Sequence, residues 1–207
     1  MRNAKKLEYG FSNEEFEIRL QRAQELLYEN KLDALLITIP SNLRYFTGID
    51  TNFWESPTRP WFLVIPLSGS PIAVIPEIGE KLFKKTFVKD IHTWPSPNLN
   101  GDDISPLKSL LESLPSRFGA IGAELGKEMS IRMPVLDLGL LHDNFKFDIV
   151  DGASLIWSLR IIKTLNEIKK IEKAAQIVSE VFSILPTFIS ANDSERDVAK
   201  KFKKEIL

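Results

Sequence analysis

The sequence contains no cysteine, which excludes disulfide bonds, thiol catalysis and zinc–thiolate sites and fits a reducing cytoplasm. Its 27 basic and 28 acidic residues leave a formal net charge of −1, so no basic field favours nucleic-acid binding. No apolar run approaches the roughly 18 residues of a membrane span, and the first residues lack the apolar stretch of a signal peptide. We therefore expect a cytoplasmic protein that binds neither nucleic acid nor a membrane.

Residues that carry chemistry are also scarce. The two histidines, His92 and His142, lie in different predicted elements, and neither has carboxylates at metal-ligand spacing such as i,i+4 on a helix. A G-x-S-x-G nucleophile elbow and a phosphate-binding glycine loop are both missing from the sequence. Four carboxylates near the central strands are best interpreted as solvated loop residues: Asp50, Glu55, Glu77 and Glu80. The sequence thus predicts no catalytic residue and no metal ligand.

The apolar pattern, in contrast, predicts a well-defined architecture. The continuous apolar run 33–39 is typical of a strand covered on both faces, and residues 61–65 and 72–75 predict a hairpin. Further strands are predicted at residues 91–94, 120–124 and 147–150, with helices at 42–47, 78–85, 107–114 and 131–142, the last of them delayed or kinked by Pro134. This alternation predicts an α/β fold with a mixed sheet flanked by helices.

Helical patterns frame this α/β region. Two of the four helices begin at capping boxes, 12–15 and 164–167, in which a hydroxyl and a glutamate cap the first turn. The predicted helices cover residues 12–30, 153–162, 164–190 and 195–206. The longest carries an apolar stripe at 3.6-residue period and needs a partner surface. Since the character of the chain changes at Asp151, we predict an α/β domain at residues 1–151 and a helical segment at 152–207.

Arg59 is the candidate ligand-contacting residue. It precedes Pro60, which favours an extended backbone, and it lies where a loop containing Trp54 enters a strand. Guanidinium groups bind carboxylates bidentately and stack on aromatic faces. The functional interpretation is an anionic-ligand contact at the edge of a site. A pair with Asp50 or Glu55, or a solvated side chain, stays open as the structural alternative.

The order of these segments resembles the N-terminal domain of the creatinase/prolidase/aminopeptidase P family. The resemblance rests on RLQR at 19–22, LDALLIT at 32–38, SNLRYFTGI at 41–49, RPWFLVIP at 59–66 and GSPIAVIP at 69–76. Residues 158–168 look like that family's junction into its catalytic "pita-bread" domain, and NDSERDVAKKF at 192–202 is similar to the segment that follows. The resemblance therefore implies an N-terminal α/β domain followed by the helical start of a truncated pita-bread domain.

The resemblance also implies a function. Members of the family are dimeric metallohydrolases of Xaa-Pro peptides, with creatinase-like relatives. Their two divalent metal ions (Mn, Co or Zn) are bound by residues beyond the equivalent of Leu207, so this chain alone is expected to be inactive. The resemblance further implies that Arg59, with Trp54, contacts the carboxylate of a peptide or small-molecule substrate across a homodimer. Two alternatives stay open: a stand-alone, non-catalytic binding or dimerisation module, and an unrelated α/β enzyme that uses Arg59 and nearby carboxylates.

Overall fold

The computed structural model describes residues 10–56, 59–96, 104–142 and 145–206, without the side chain of Glu55. By its internal contacts the chain divides into two compact units, which separate after Ile161. The helix at 153–161 therefore belongs by contact to the first unit, although the predicted domain boundary lies before it. A division by internal contacts does not show where the family's N-terminal domain ends, so the domain boundary after Asp151 stays a prediction.

The elements follow the predicted order. The strands are β1 Ala34–Ile37, β2 Phe62–Pro66, β3 Ile72–Pro76, β4 Asp90–Trp94, β5 Ala120–Ala123 and β6 Asp148–Asp151. The helices of the first unit are α1 Asn13–Glu29, α2 Pro40–Thr47, α3 Glu80–Phe83, α4 Ser105–Ser113, α5 Val135–Leu140 and α6 Ala153–Ile161. Those of the second unit are α7 Leu165–Ile184 and α8 Glu195–Ile206. Short 3-10 turns occur at Asn52–Glu55, Glu77–Gly79 and Leu185–Thr187.

The six strands form one mixed sheet in the order β4-β3-β2-β1-β5-β6. The pair β2–β3 is antiparallel, as the predicted hairpin requires, and β1–β2 is antiparallel as well. The pairs β3–β4, β1–β5 and β5–β6 are parallel. Leu35 of β1 stands opposite Ile65 of β2 and Gly122 of β5. The prediction of an α/β fold with a mixed sheet flanked by helices is confirmed.

The core lies on both faces of the sheet. Leu35 and Ile37 of β1 pack into a cluster with α1, α2 and α6, whereas Ala34 and Leu36 point into a second cluster with α4. All four residues of β1 are fully buried. This is the burial that a continuous apolar run predicts for a central strand, because successive side chains point to opposite faces.

One predicted helix start differs from expectation, and another is confirmed. Ser12 makes no side-chain cap hydrogen bond, and Glu15 is buried and pairs with the equally buried Arg19 at 3.4 Å. The predicted capping box at 12–15 is therefore wrong, since Glu15 lies on the buried face of α1. The helix predicted at 131–142 begins at Val135, because Pro134 occupies its N-cap with extended ψ, and the predicted delay by Pro134 is confirmed.

The second unit consists of α7 and α8. The capping box that opens α7 is confirmed: the Thr164 hydroxyl accepts from the Glu167 N–H at 3.2 Å, and the Glu167 carboxylate accepts from the Thr164 N–H at 2.8 Å. Phe182 of α7 packs on Phe202 of α8 with ring centroids 4.9 Å apart. In the described ranges, no helix combines the length and hydropathy that a bilayer crossing needs.

Candidate functional site

The aromatic loop between α2 and β2 is anchored at both ends. Gly48 ends α2 in the left-handed region, and the Thr51 hydroxyl accepts from the Phe53 N–H at 3.2 Å to start the 3-10 turn. The Trp54 indole is only 6% exposed and meets Trp61 edge-to-face, with centroids 6.5 Å apart. Aromatic burial thus holds the loop against the strand that it enters.

Arg59 lies just before this anchored strand. It is half-buried, and its N–H donates to the Ser56 carbonyl at 3.4 Å. The structural alternative of a pair with Asp50 loses support, since the Asp50 carboxylate pairs with Arg44 at the surface. The alternative partner, Glu55, has a side chain outside the described residues.

The other candidate residues take ordinary surface positions. Glu80 pairs with Lys84 at 2.7 Å, and Glu77 is exposed. His92 pairs with Asp90 at 3.1 Å, because residues two apart on a strand share one face. The two-residue spacing of Asp90 and His92 differs from the i,i+4 ligand spacing of a helix, so the sequence did not predict this pair. Within the part of the chain that the structure describes, no three His, Asp or Glu side chains are grouped as a metal site requires.

The site that sequence reasoning missed is built on Glu124, directly after β5. Its side chain is fully buried and accepts four hydrogen bonds. One carboxylate oxygen accepts from the Thr38 N–H at 2.6 Å, the Thr38 hydroxyl at 2.7 Å and the Ile39 N–H at 2.7 Å. The other accepts from the Asn42 amide at 2.6 Å. Glu124 therefore joins the carboxyl end of β5 to the end of β1 and the start of α2.

Burial and hydrogen bonding act on Glu124 in opposite directions. Burial raises the pKa of Glu124 above its ordinary value, because desolvation penalises the charged form. The donors of Asn42, Thr38 and Ile39 lower the pKa and so limit the rise. Four donors aimed at two oxygens suit an ionised carboxylate, which accepts hydrogen bonds but has none to donate.

The contacts of Glu124 extend in two directions. Toward α6, the Asn42 side-chain oxygen accepts from the Arg160 guanidinium at 2.6 Å, and the Tyr45 hydroxyl donates to the Leu159 carbonyl at 3.1 Å. Toward the aromatic loop, the Thr38 hydroxyl accepts from the Arg132 N–H at 2.9 Å. The Arg132 guanidinium then donates to the Trp54 carbonyl at 2.9 Å. One buried carboxylate thus lies between α6 and the aromatic loop.

An open groove of about 730 Å³ lies at the same edge of the sheet. It is lined by Ile39 and Pro40 after β1 and by residues 128–135 after β5. The chain leaves β1 toward β2 on one side and leaves β5 toward β6 on the other. Ligands of open α/β sheets bind outside such a switch point between parallel strands. Here Glu124 already occupies the N–H groups of Thr38 and Ile39, so the arrangement supports the edge and provides no nucleophile–base pair.

Comparison with known proteins gives a consistent result. Residues 19–162 match the model of the Creatinase/Prolidase N-terminal domain. A probable dipeptidase PepE of Mycobacterium bovis is 25% identical over 197 residues, which cover 95% of this chain and 50% of that protein. The chain therefore spans about half the length of the curated relatives it matches.

Solved structures show the same fold. Dipeptidase PepE from Mycobacterium ulcerans superposes with a TM-score of 0.71 at 24% identity, over 95% of this chain and 50% of that chain. Recombinant prolidase from Thermococcus sibiricus superposes with a TM-score of 0.74 at 22% identity, over 92% of this chain and 49% of that chain. The matched region again comprises about half of each solved chain.

Proposed function

Because this chain belongs to the creatinase/prolidase N-terminal domain family, we propose that it is the supporting domain of an Xaa-Pro dipeptidase-, aminopeptidase P- or creatinase-like metallohydrolase. The chain corresponds to the N-terminal portion of prolidase- and PepE-type proteins. The family match over residues 19–162 is the observation that carries the proposal. The proposed roles are dimerisation and control of substrate access, while the hydrolytic chemistry belongs to a pita-bread catalytic domain.

We propose that Arg59 contacts the substrate carboxylate in the partner subunit's active site within a homodimer. The half-buried position of Arg59 and its direct link through Pro60 to a buried strand support this role. Trp54 enters the proposal mainly as the anchor of the loop, since its indole is buried against Trp61. A direct contact between Trp54 and the substrate requires the indole to leave that position.

The metal ions in this proposal lie outside the described residues. The family resemblance implies two divalent ions, Mn, Co or Zn, and a pita-bread domain that binds them. The described side chains of this chain do not form such a site. Their proposed contribution is to hold the dimer and the Arg59 loop in place. A cytoplasmic location belongs to the same proposal and is supported by a sequence without cysteine.

A stand-alone, non-catalytic binding or dimerisation module is the second candidate. It is favoured by the first unit, whose sheet is covered on both faces by its own helices. Within the second unit, packing against α8 leaves apolar residues of α7 exposed, such as Ile171 and Phe182. A module of this kind must cover that stripe within its own fold or in a symmetric dimer.

The coding sequence downstream of Leu207 and one substitution test the main proposal. We expect that sequence to encode two Asp, one His and two Glu in the order of a pita-bread metal site. In the protein that includes it, Arg59→Ala should raise KM for an Xaa-Pro dipeptide about tenfold or more, as expected for loss of a charge-assisted hydrogen bond. Arg22→Ala, at a similarly half-buried arginine of α1, is the control and should leave KM unchanged. An unchanged KM for Arg59→Ala contradicts the substrate contact.

The 207-residue chain provides an independent test. With Mn²⁺ or Co²⁺ and Xaa-Pro dipeptides, we expect no turnover, and light scattering after gel filtration should give the mass of a dimer. Robust hydrolysis by this chain alone would overturn our assignment of the chemistry to another domain. A monomer at high micromolar concentration would instead contradict the proposed dimerisation.

A further inference from the structure

Arg132 connects two parts of the first unit that are far apart in sequence. Its backbone N–H donates to the Thr38 hydroxyl at 2.9 Å. Its guanidinium donates to the Trp54 carbonyl, also at 2.9 Å. The Thr38 hydroxyl in turn donates to the buried Glu124 carboxylate at 2.7 Å. The main chain at Arg132 is therefore attached to the carboxyl edge of the sheet, and its side chain reaches from that edge to the aromatic loop.

The Trp54 carbonyl is well placed to accept a hydrogen bond from a cationic side chain. It lies in the last turn of the 3-10 helix Asn52–Glu55, where carbonyl groups have no partner within the helix. The partial negative charge at a helix C-terminus also favours a guanidinium. Because the Trp54 indole is buried against Trp61, Arg132 holds the main chain of a residue whose side chain is already fixed.

We infer that Arg132 is a positioning residue for the loop that carries Arg59. The guanidinium holds the loop at Trp54, while Trp61 holds it where the strand begins, so Arg59 lies between two fixed points. A side chain between two fixed points samples fewer directions than one on a loose loop, and it loses less conformational entropy when it binds a carboxylate. The role for substrate rests on the proposed function, whereas the hold on the loop does not.

The Glu124 carboxylate is also connected to α6, through the side chain of Asn42. Glu124 accepts from Asn42 at 2.6 Å, and the Asn42 side-chain oxygen accepts from Arg160 at 2.6 Å. The edge from which Arg132 reaches the loop is thus attached to the last helix of the first unit. The backbone of Arg132 is therefore bound to a well-held edge of the sheet, as is required of a residue that positions another.

Hydrogen exchange of the 207-residue chain tests the hold on the loop. Arg132→Met removes the guanidinium but keeps the aliphatic stem and the backbone bond to Thr38. We expect amide exchange of the segment 51–56 to become about tenfold faster, as expected for loss of a hydrogen bond from a charged donor. Exchange within β1 and β5 should stay unchanged. Arg132→Lys, which keeps a cation, should restore part of the protection.

Lys146 provides a matched control. Its ammonium donates to the Leu114 carbonyl at 2.6 Å, so Lys146→Met removes a cation from a backbone carbonyl elsewhere in the same unit. Exchange of the segment 51–56 should then match that of the unaltered chain. Equal exchange of this segment in Arg132→Met and Lys146→Met would overturn the inference. Faster exchange throughout the first unit in both Arg132→Met and Arg132→Lys would also overturn it, because the role would then be general stability.

Different results would contradict the substrate contact of Arg59 and the positioning role of Arg132. If Arg132→Met loosens the loop but Arg59→Ala leaves KM of the complete peptidase unchanged, Arg132 positions a loop that does not bind substrate. If Arg59→Ala raises KM but Arg132→Met leaves both exchange and KM unchanged, the substrate contact stands and the positioning role is wrong. Where both hold, Arg132→Met should raise KM with a smaller effect on kcat, and Arg132→Lys should recover part of the loss.

Discussion

Glu124 allows a quantitative test of how the carboxyl edge of the sheet is held. Glu124→Leu keeps much of the side-chain volume but removes the acceptor for four donors from three residues: Thr38, Ile39 and Asn42. Each buried donor left without an acceptor costs about 1–3 kcal/mol. The Thr38 hydroxyl can rotate to another acceptor, whereas Arg160 holds the Asn42 amide in place, so the two N–H groups and the Asn42 amide set the cost. We therefore expect a loss of about 3–5 kcal/mol in the free energy of unfolding, as for other broken buried charge networks.

Glu124→Gln keeps the shape of the side chain but replaces one acceptor oxygen with a donor. The glutamine oxygen can face the three donors of Thr38 and Ile39, which places its NH₂ group against the NH₂ of Asn42. Asn42 is kept from turning over by Arg160, which donates to its oxygen at 2.6 Å. We expect a loss of about 1–3 kcal/mol, because the new NH₂ group faces the donor of Asn42 and leaves it without an acceptor.

Urea unfolding followed by tryptophan fluorescence measures both losses. All four tryptophans lie in the first unit, at positions 54, 61, 94 and 157, so the signal reports that unit alone. Glu112→Leu, at an exposed position of α4, is the control and should change the free energy of unfolding by less than about 0.5 kcal/mol. A loss below about 1 kcal/mol for Glu124→Leu would show that water or rearrangement satisfies the four donors, and it would refute this account of the edge.

Three further results are expected in the same unfolding assay. Because burial raises the folded-state pKa of Glu124, the folded chain binds that proton more tightly, so stability relative to Glu124→Gln should increase as pH falls from 7 to 5; the opposite slope would contradict the raised pKa. Gly48→Ala should cost about 1–3 kcal/mol, since φ is +72° and the new Cβ would lie 2.7 Å from a ring carbon of Phe16. Gly69→Ala, at φ +92° with no atom within 4 Å, should cost less, and equal costs would show that the contact with Phe16 does not matter. Asp33→Asn should cost about 2 kcal/mol, because its buried carboxylate accepts from three successive N–H groups at 117–119; a neutral effect would show that the turn does not need the charge.

The sequence predicts this fold well where the signal is local. The apolar run at 33–39 identified the central strand, because a strand covered on both faces has no polar alternation. The order of strands and helices identified the mixed sheet, and the capping box at 164–167 located the start of α7. The apolar run and the capping box each lie within a few neighbouring residues, and the order of elements is a sum of such local signals. The failed capping box at 12–15 shows their limit, since pairing with Arg19 on the buried face of α1 outweighed capping for Glu15.

The candidate site was less predictable because its contacts are distant in sequence. Glu124 and Thr38 are 86 positions apart, and only the parallel pairing of β1 with β5 brings them together. The signal available in the sequence was a glutamate directly after an apolar strand, a position where a carboxylate meets the end of the neighbouring parallel strand. The sequence identified the loop but did not predict the burial of Trp54. That burial depends on contact with Trp61, whose position is set by the sheet.

The two edge strands restrict how copies of this protein can associate. β4 is five residues long and carries the exposed Asp90–His92 pair, and β6 is four residues long and begins and ends with exposed aspartates. Short, charged edges disfavour the addition of a further strand. We therefore expect that two copies do not join their sheets into one continuous sheet, and that the purified protein resists fibril formation through these edges. Helices and loops then remain as the surfaces through which a dimer can form.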